Sequence, residues 1–417
     1  MKSILQSYKG MFRKKYIKIY LLYMLFFMVD GPVQNMLPVL LEEKGQPARY
    51  YGYLLALINA CCVVVPGLVS ILSVKYSAYR VAAVAMIAAI VTGCMAFGVN
   101  RTYLLIGILV VLACARTGFN YSLGNDINYE IEDDHRGKYF AVRDLFLYGG
   151  ISLGLFLGGQ FVKLADVSGM YAAAGLLYVL PLIMIFIVYR ECGGRKDGQN
   201  TDSDEEDETE ERVSWRVFRN IAGDKKFWSY MIVKFFANIY GVAMEYLPLY
   251  ALTIGISVPN VMSIFSFMTL FNAVGALFVS HLGDLKGRKW FYVFDIGFDA
   301  LPAMIFLLSQ NVPLFVIGII LSMVKDVFAS VSFAYFYDVF DDHNGTIILG
   351  IVESFSSAVG IIMPVVIGWV WEVSPQLVFG IGAAGCLLSA GVAAVFLPDK
   401  TAFWTEDSGL QKNDGGD

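Results

Sequence analysis

Charge is what this 417-residue chain has least of. Asp, Glu, Lys and Arg make up 16% of it, against 57% hydrophobic residues and a mean hydropathy of +0.61. A soluble domain carries nearer a quarter charged residues, so a soluble globular protein is excluded. Histidine is rarer still: His135, His281 and His343 are the full set, and each falls between apolar runs rather than within one. No imidazole is therefore at hand for a proton relay inside the apolar runs. The six cysteines, Cys61, Cys62, Cys94, Cys114, Cys192 and Cys386, have no histidine at metal-ligand spacing, and five lie inside apolar runs. They read as small apolar filler rather than a disulfide framework or a metal site. A Gly-x-x-x-x-Gly-Lys-Ser/Thr loop is missing, which argues against an ATP-driven pump. No nucleophile–base set marks an enzyme, and neither a cofactor nor a nucleic-acid partner is expected. No cleavable signal pattern is expected either, because the first apolar run is long and continues straight into the rest.

What is present is a series of apolar stretches, each about 20 residues long and so able to cross a hydrocarbon core as a helix. Twelve spans are predicted, at 17–41, 50–74, 80–99, 102–125, 139–163, 168–189, 227–252, 258–280, 289–309, 312–338, 347–372 and 375–397. Backbone groups need internal partners in lipid, and these runs lack the alternation of barrel strands, so the class is all-α integral membrane. The chain divides into a six-helix bundle at 1–190, an acidic linker at 191–226, a second bundle at 227–400 and a polar tail at 401–417. The linker's dense like charge predicts disorder, ending in a short amphipathic helix around Trp215. Lysine and arginine are strongly biased. With the N-terminus placed inside, inner segments hold 24 of the 31, outer loops hold four, and Arg116, Lys234 and Lys325 lie within spans. Both termini are thus predicted to be cytoplasmic in a plasma-membrane protein.

The chain also repeats. Residues 133–137 read Asp-Asp-His-Arg-Gly and residues 341–345 read Asp-Asp-His-Asn-Gly. Each leads into a span with small residues or proline at i, i+4 and i+8: Gly150, Gly154, Gly158 in one copy and Gly360, Pro364, Gly368 in the other. Before each lies a span with a cation, Arg116 or Lys325. Spans 1 and 7 share a Leu-Pro pair, Leu37-Pro38 and Leu247-Pro248. Two halves of six spans make parallel repeats, an arrangement of transporters.

Span 8 leads into Asp284-Leu-Lys-Gly287-Arg288-Lys289, a short loop between the second and third spans of a half. This loop, with the twelve spans, long central loop and halfway repeat, resembles the major facilitator superfamily over almost the whole chain. Ser280 stands where that family usually has glycine, and the equivalent first-half loop, Ser73 to Arg80, lacks the Asp and the Gly-Arg pair. The resemblance implies alternating access, with spans 1, 4, 7 and 10 lining a central cavity. Arg116 matches an arginine carried in span 4 by drug–proton antiporters of the family, although Asn120 replaces the glycine usual four residues later and Leu155 replaces a proline usual in span 5.

Ionisable groups inside spans mark candidate sites. Asp30 lies about 13 residues into span 1, roughly 20 Å deep. Asp30, Arg116, Asn120, Tyr240, Glu245, Lys325 and Asp326 are the expected cavity residues. Asp30, and after it Asp326, are the expected proton carriers, since burial raises a carboxylate's proton affinity and a nearby cation lowers it. These charges could also do no more than hold helices together. A cytoplasmic gate is expected from Arg136, Arg143, Asp284, Gly287, Arg288 and Glu353, with Asp284 latching onto the end of span 5. The two small-residue stripes are expected to pack one half on the other. Asp295 and Asp299 are expected to serve as structural partners for span 10 or 7. The expected function is proton-coupled export of a small, drug-like or amphipathic organic solute by a monomer in contact with membrane lipids. Coupled uptake of a sugar or organic anion is the alternative, and a transport-dead sensor on the same fold ranks behind it.

Overall fold

The computed structural model describes residues 14–128, 136–192, 223–279, 288–326, 335–336, 339–340 and 342–398. Asp284, Gly287, most of the acidic linker and the tail lie outside them. Every regular element among the described residues is an α-helix. In chain order they are α1 (Lys14–Asn35), α2 (Leu37–Glu43), α3 (Ala48–Tyr76), α4 (Ala78–Gly98), α5 (Thr102–Asn128), α6 (Arg136–Val162), α7 (Val167–Leu177) and α8 (Val179–Cys192), then α9 (Lys225–Met244), α10 (Leu247–Thr253), α11 (Val258–Val279), α12 (Arg288–Phe298), α13 (Ala300–Leu308), α14 (Val312–Asp326), α15 (Asp342–Val373) and α16 (Pro375–Phe396). Among the described residues, ten helical stretches are long and apolar enough to cross a membrane, and Val312–Val324 is a shorter apolar one.

Spans 1 and 7 break at the same place, and the sequence says why. Proline supplies no N–H and is tolerated in a helix's first turn. Pro38 and Pro248 occupy that turn in α2 and α10, so each restarts a helix rather than continuing α1 or α9. Both short helices then end in the same cap. Gly45 and Gly255 take φ of +71° and +88°, a region closed to most side chains. Their N–H groups bond back to Glu42 and Leu252, while those of Gln46 and Ile256 bond to Leu41 and Ala251. The duplication is thus visible in backbone detail.

The chain packs as two compact units. One comprises the described residues within Met1–Asp202 together with Glu245–Val274 and Gly360–Val373; the other comprises those within Ser203–Met244, Gly275–Val359 and Ser374–Asp417. In the first unit, α6 lies along α1. A Cβ at Gly150 would stand 2.5 Å from the Met24 carbonyl oxygen, and one at Gly154 would stand 3.0 Å from Met28 Cα. This corrects the expectation for Gly150 and Gly154: they join two helices of one repeat, not the two halves. Gly158, beside Met262, and Gly159, beside Pro259, face the second repeat, as does Ser152, whose carbonyl accepts from the Ser266 hydroxyl at 2.8 Å. Small residues four apart permit close approach but do not name the neighbour. Gly154→Val should therefore destabilise the protein by about 3 kcal/mol, since the facing atoms are backbone and cannot swing aside. Gly67→Ala, in open space on α3, should leave the unfolding temperature in detergent unchanged or slightly higher.

In the second unit, α9 lies against α16. Gly385 faces the Phe236 carbonyl, and Ser389 Oγ donates to Val233 O at 2.9 Å. Tyr240, expected to line the cavity, packs its Cα and one ring edge against Gly382 of α16, each 3.6 Å from where a Cβ would be. Asp295 is buried within α12 and Asp299 is buried at the break between α12 and α13, and these helices pack on α16, with α13 also against α14.

Candidate functional site

The site grows from the one carboxylate that α1 buries. Asp30 lies between Val29 and Gly31 in an otherwise apolar turn, with its side chain 1% exposed. Arg116 of α5 sets Nε 2.5 Å from Asp30 Oδ1 and is itself 13% exposed. Tyr178, at the junction of α7 and α8, donates its hydroxyl to the same Oδ1 at 2.7 Å. A buried ion needs such partners, and a lone charge here would be strongly unfavourable. Phe26 and Phe119 stack 4.0 Å apart, with Tyr178 6.1 Å from Phe26, so aromatic rings pack beside the pair.

Span 6 is fastened to span 1 at two further points. Tyr171 donates to Val33 O at 2.5 Å, in the last turn of α1 where carbonyls lack helical partners. Glu43, ending α2, accepts from the Val167 and Ser168 N–H groups at 2.9 and 3.1 Å and from the Ser168 hydroxyl at 2.6 Å. The carboxylate thereby satisfies donors that a helix start leaves unpaired. Gly93 and Gly175 let α4 and α7 touch, a Cβ on Gly93 falling 2.7 Å from Gly175 Cα.

Above the ion pair, towards the loop that holds Gly45, the same unit contains a clamp between repeats. Tyr51 Oη lies 3.4 Å from Glu245 Oε2, and its ring meets Tyr246 edge-on at 5.0 Å. The Tyr246 hydroxyl donates to Pro364 O at 3.2 Å. Pro364 has no N–H, so the Gly360 carbonyl one turn earlier loses its helical donor. Asn59 of α3 supplies one, Nδ2 to O at 2.6 Å. Gly368 packs on Arg49, which pairs with Glu372 at 3.6 Å and lies over the Trp369 ring at 5.3 Å. A double-mutant cycle tests this account. Asn59→Ala should cost about 1 kcal/mol in a wild-type background. Paired with Pro364→Ala, which restores the backbone donor, it should cost almost nothing.

Of the expected cavity residues, the structure brings together Asp30 and Arg116, with Asn120 one turn further along α5. The Asn120 Oδ1 is buried and has no hydrogen-bond partner among the described residues. Glu245 is exposed in the break after α9. Lys325 and Asp326 close α14 in the second unit, and their side chains lie outside the described residues, as do those of Arg136 and Arg288. Arg143 pairs with the adjacent Asp144 at 2.7 Å and lies 5.7 Å over the Tyr23 ring, while Glu353 is exposed. Tyr178, Tyr171 and Asn59 were not expected at the site. Their one signal in sequence is a hydrogen-bonding group inside an apolar run. Among the described residues, no group of His, Cys, Asp or Glu could hold a metal ion.

Comparison with known proteins agrees with this architecture. The chain superposes on a variant of the nucleoside transporter NupG with TM-score 0.72 and 16% identity, covering 92% of this chain and 100% of that one. A D-xylose–proton symporter gives 0.68 and 13%, covering 93% and 99%. A bacterial homologue of the human lysosomal transporter Spinster, inward-facing and occupied, gives 0.64 and 12%, covering 94% and 96%. No curated protein matches in sequence. The family model described as Major Facilitator Superfamily matches residues 19–271 and 251–408. With a twelve-helix fold, multi-pass in the membrane, and built for secondary transport, this chain belongs to the Major Facilitator Superfamily.

Proposed function

We propose that the chain is a proton-coupled secondary transporter of a small organic solute, working by alternating access, with Asp30 as the proton carrier. The observation that carries this is the Asp30–Arg116–Tyr178 cluster. A carboxylate 1% exposed, with a cation and a hydroxyl on one oxygen, cannot change charge without a change in its surroundings. That link between protonation and conformation is what coupling requires. The D-xylose–proton symporter among the structural neighbours is in keeping with it.

The clamp of Tyr51, Asn59, Tyr246 and Pro364 then closes the face that the lysine and arginine bias places outside. Arg136, Arg143, Asp284, Gly287, Arg288 and Glu353 serve the cytoplasmic face, and Lys325 and Asp326 serve solute and proton binding in the second repeat. A pH-sensitive dye sealed in proteoliposomes tests the proposal. Adding a transported solute outside should change internal pH in step with its entry. Solute entry with no proton movement would remove proton coupling.

A further inference from the structure

The ion pair is not equally hidden on its two sides. Asp30 is 1% exposed, while Arg116 is 13% exposed. Arg116 makes its closest contact with Asp30 through Nε, its inner nitrogen, so the edge formed by its two terminal nitrogens is not what this contact uses. A guanidinium edge of this kind matches a carboxylate in geometry, two parallel N–H donors to two oxygens. One turn away on the same helix, Asn120 offers its unpartnered carboxamide oxygen. The reachable member of the pair is therefore the cation, and beside it stands an acceptor in want of a donor.

We propose that the solute is a small hydroxylated organic carboxylate, bound by the terminal nitrogens of Arg116 and by Asn120, and moved together with the proton that Asp30 takes up. The proposal rests on the Asp30 reading above. Arg116 needs one negative partner in a low-dielectric site. With Asp30 ionised, that partner is Asp30, and a second anion gains little. With Asp30 protonated, the guanidinium charge is uncovered, and the solute carboxylate replaces it. Proton and anion then enter as a net neutral pair, so import follows the proton. Other groups near the pair do not supply that charge. Tyr171 and Tyr178 of span 6 and Tyr51 of α3 are neutral hydroxyls. Cys61 and Cys62 of α3 and Cys114 of α5 are thiols. On α6, Arg143 and Asp144 satisfy each other at Tyr23, two turns away. The Glu245 carboxylate lies against the Tyr51 hydroxyl at 3.4 Å.

The test uses three acids of increasing size, glycerate, gluconate and mandelate, each against its uncharged carboxamide. Thermal unfolding of the purified full chain is followed at pH 6 and pH 8, where all three acids are ionised. At least one acid should stabilise the wild type where its amide does not, with an apparent Kd about tenfold or more lower at pH 6, because only the protonated fraction is competent. Arg116→Gln should abolish the preference for acid over amide, and Arg116→Lys should keep it in weakened form, which guards against loss of folding in the first variant. If no acid outperforms its amide, the carboxylate proposal falls, whatever the dye experiment shows for protons. If an acid wins but Asp30→Asn keeps the full pH dependence, the carboxylate site stands and the proton is carried elsewhere. Transport of the winning acid should also ignore an imposed membrane potential. Acceleration by an inside-negative potential would overturn neutral co-transport.

Discussion

Asp30→Asn protein in proteoliposomes is expected to exchange labelled solute for unlabelled at close to the wild-type rate, yet to lose accumulation driven by a pH gradient. Asparagine keeps the shape and still accepts the Tyr178 hydroxyl, but it neither binds nor releases a proton near neutral pH. Exchange needs only the solute-bound states, whereas accumulation needs the proton to be handed over. The expected loss is the whole gradient-driven component, up to about tenfold at a gradient of one pH unit for one proton per solute. The measurement compares counterflow with accumulation in the same vesicles, so a folding defect, which lowers both, is told apart from uncoupling. Retained accumulation in this variant would remove Asp30 as the carrier.

Arg116→Leu should have the largest effect on stability. It leaves a carboxylate that is 1% exposed without its cation, and breaking a buried pair from one side typically costs about 3–5 kcal/mol. Asp30→Asn/Arg116→Leu should recover most of that loss, because the double variant holds no unpaired charge. Unfolding in detergent, read at pH 8 where a lone Asp30 is most disfavoured, gives both numbers. A single Arg116→Leu variant as stable as wild type would mean that water already reaches Asp30.

The spans were legible because apolar runs of this length leave few alternatives in lipid. The breaks in spans 1 and 7 were marked by Leu37-Pro38 and Leu247-Pro248, since proline restarts a helix more readily than it continues one. Asp30 and Arg116 stood out because each is a charge in an apolar run and so demands a partner. Tyr178 did not, because a tyrosine among leucines reads the same whether it packs or donates a hydrogen bond. It also lies on span 6, which the family resemblance places outside the cavity. The stripe of Gly150, Gly154 and Gly158 announced a close neighbour, but the neighbour's identity depends on how α6 is turned about its axis. One face meets α1, and another meets α11 at Ser152, Gly158 and Gly159. Asn59 was hidden for a different reason: its role is set by Pro364, some 300 residues away, through a carbonyl that belongs to neither residue.

Three hydrogen-bonded fasteners tie spans 1 and 6: Glu43 at the head of α7, Tyr171 at Val33, and Tyr178 at Asp30 itself. A member bolted at three heights does not hinge along its length. Spans 1 and 6 should travel as a single strut through the transport cycle, carrying the Asp30 hydroxyl partner with them. On the proposed reading, the moving joint at Asp30 is then the seam between α1 and α5, crossed by the Arg116 contact and by the Phe26–Phe119 stack. The timing of the proposed proton step would follow how that seam lets go.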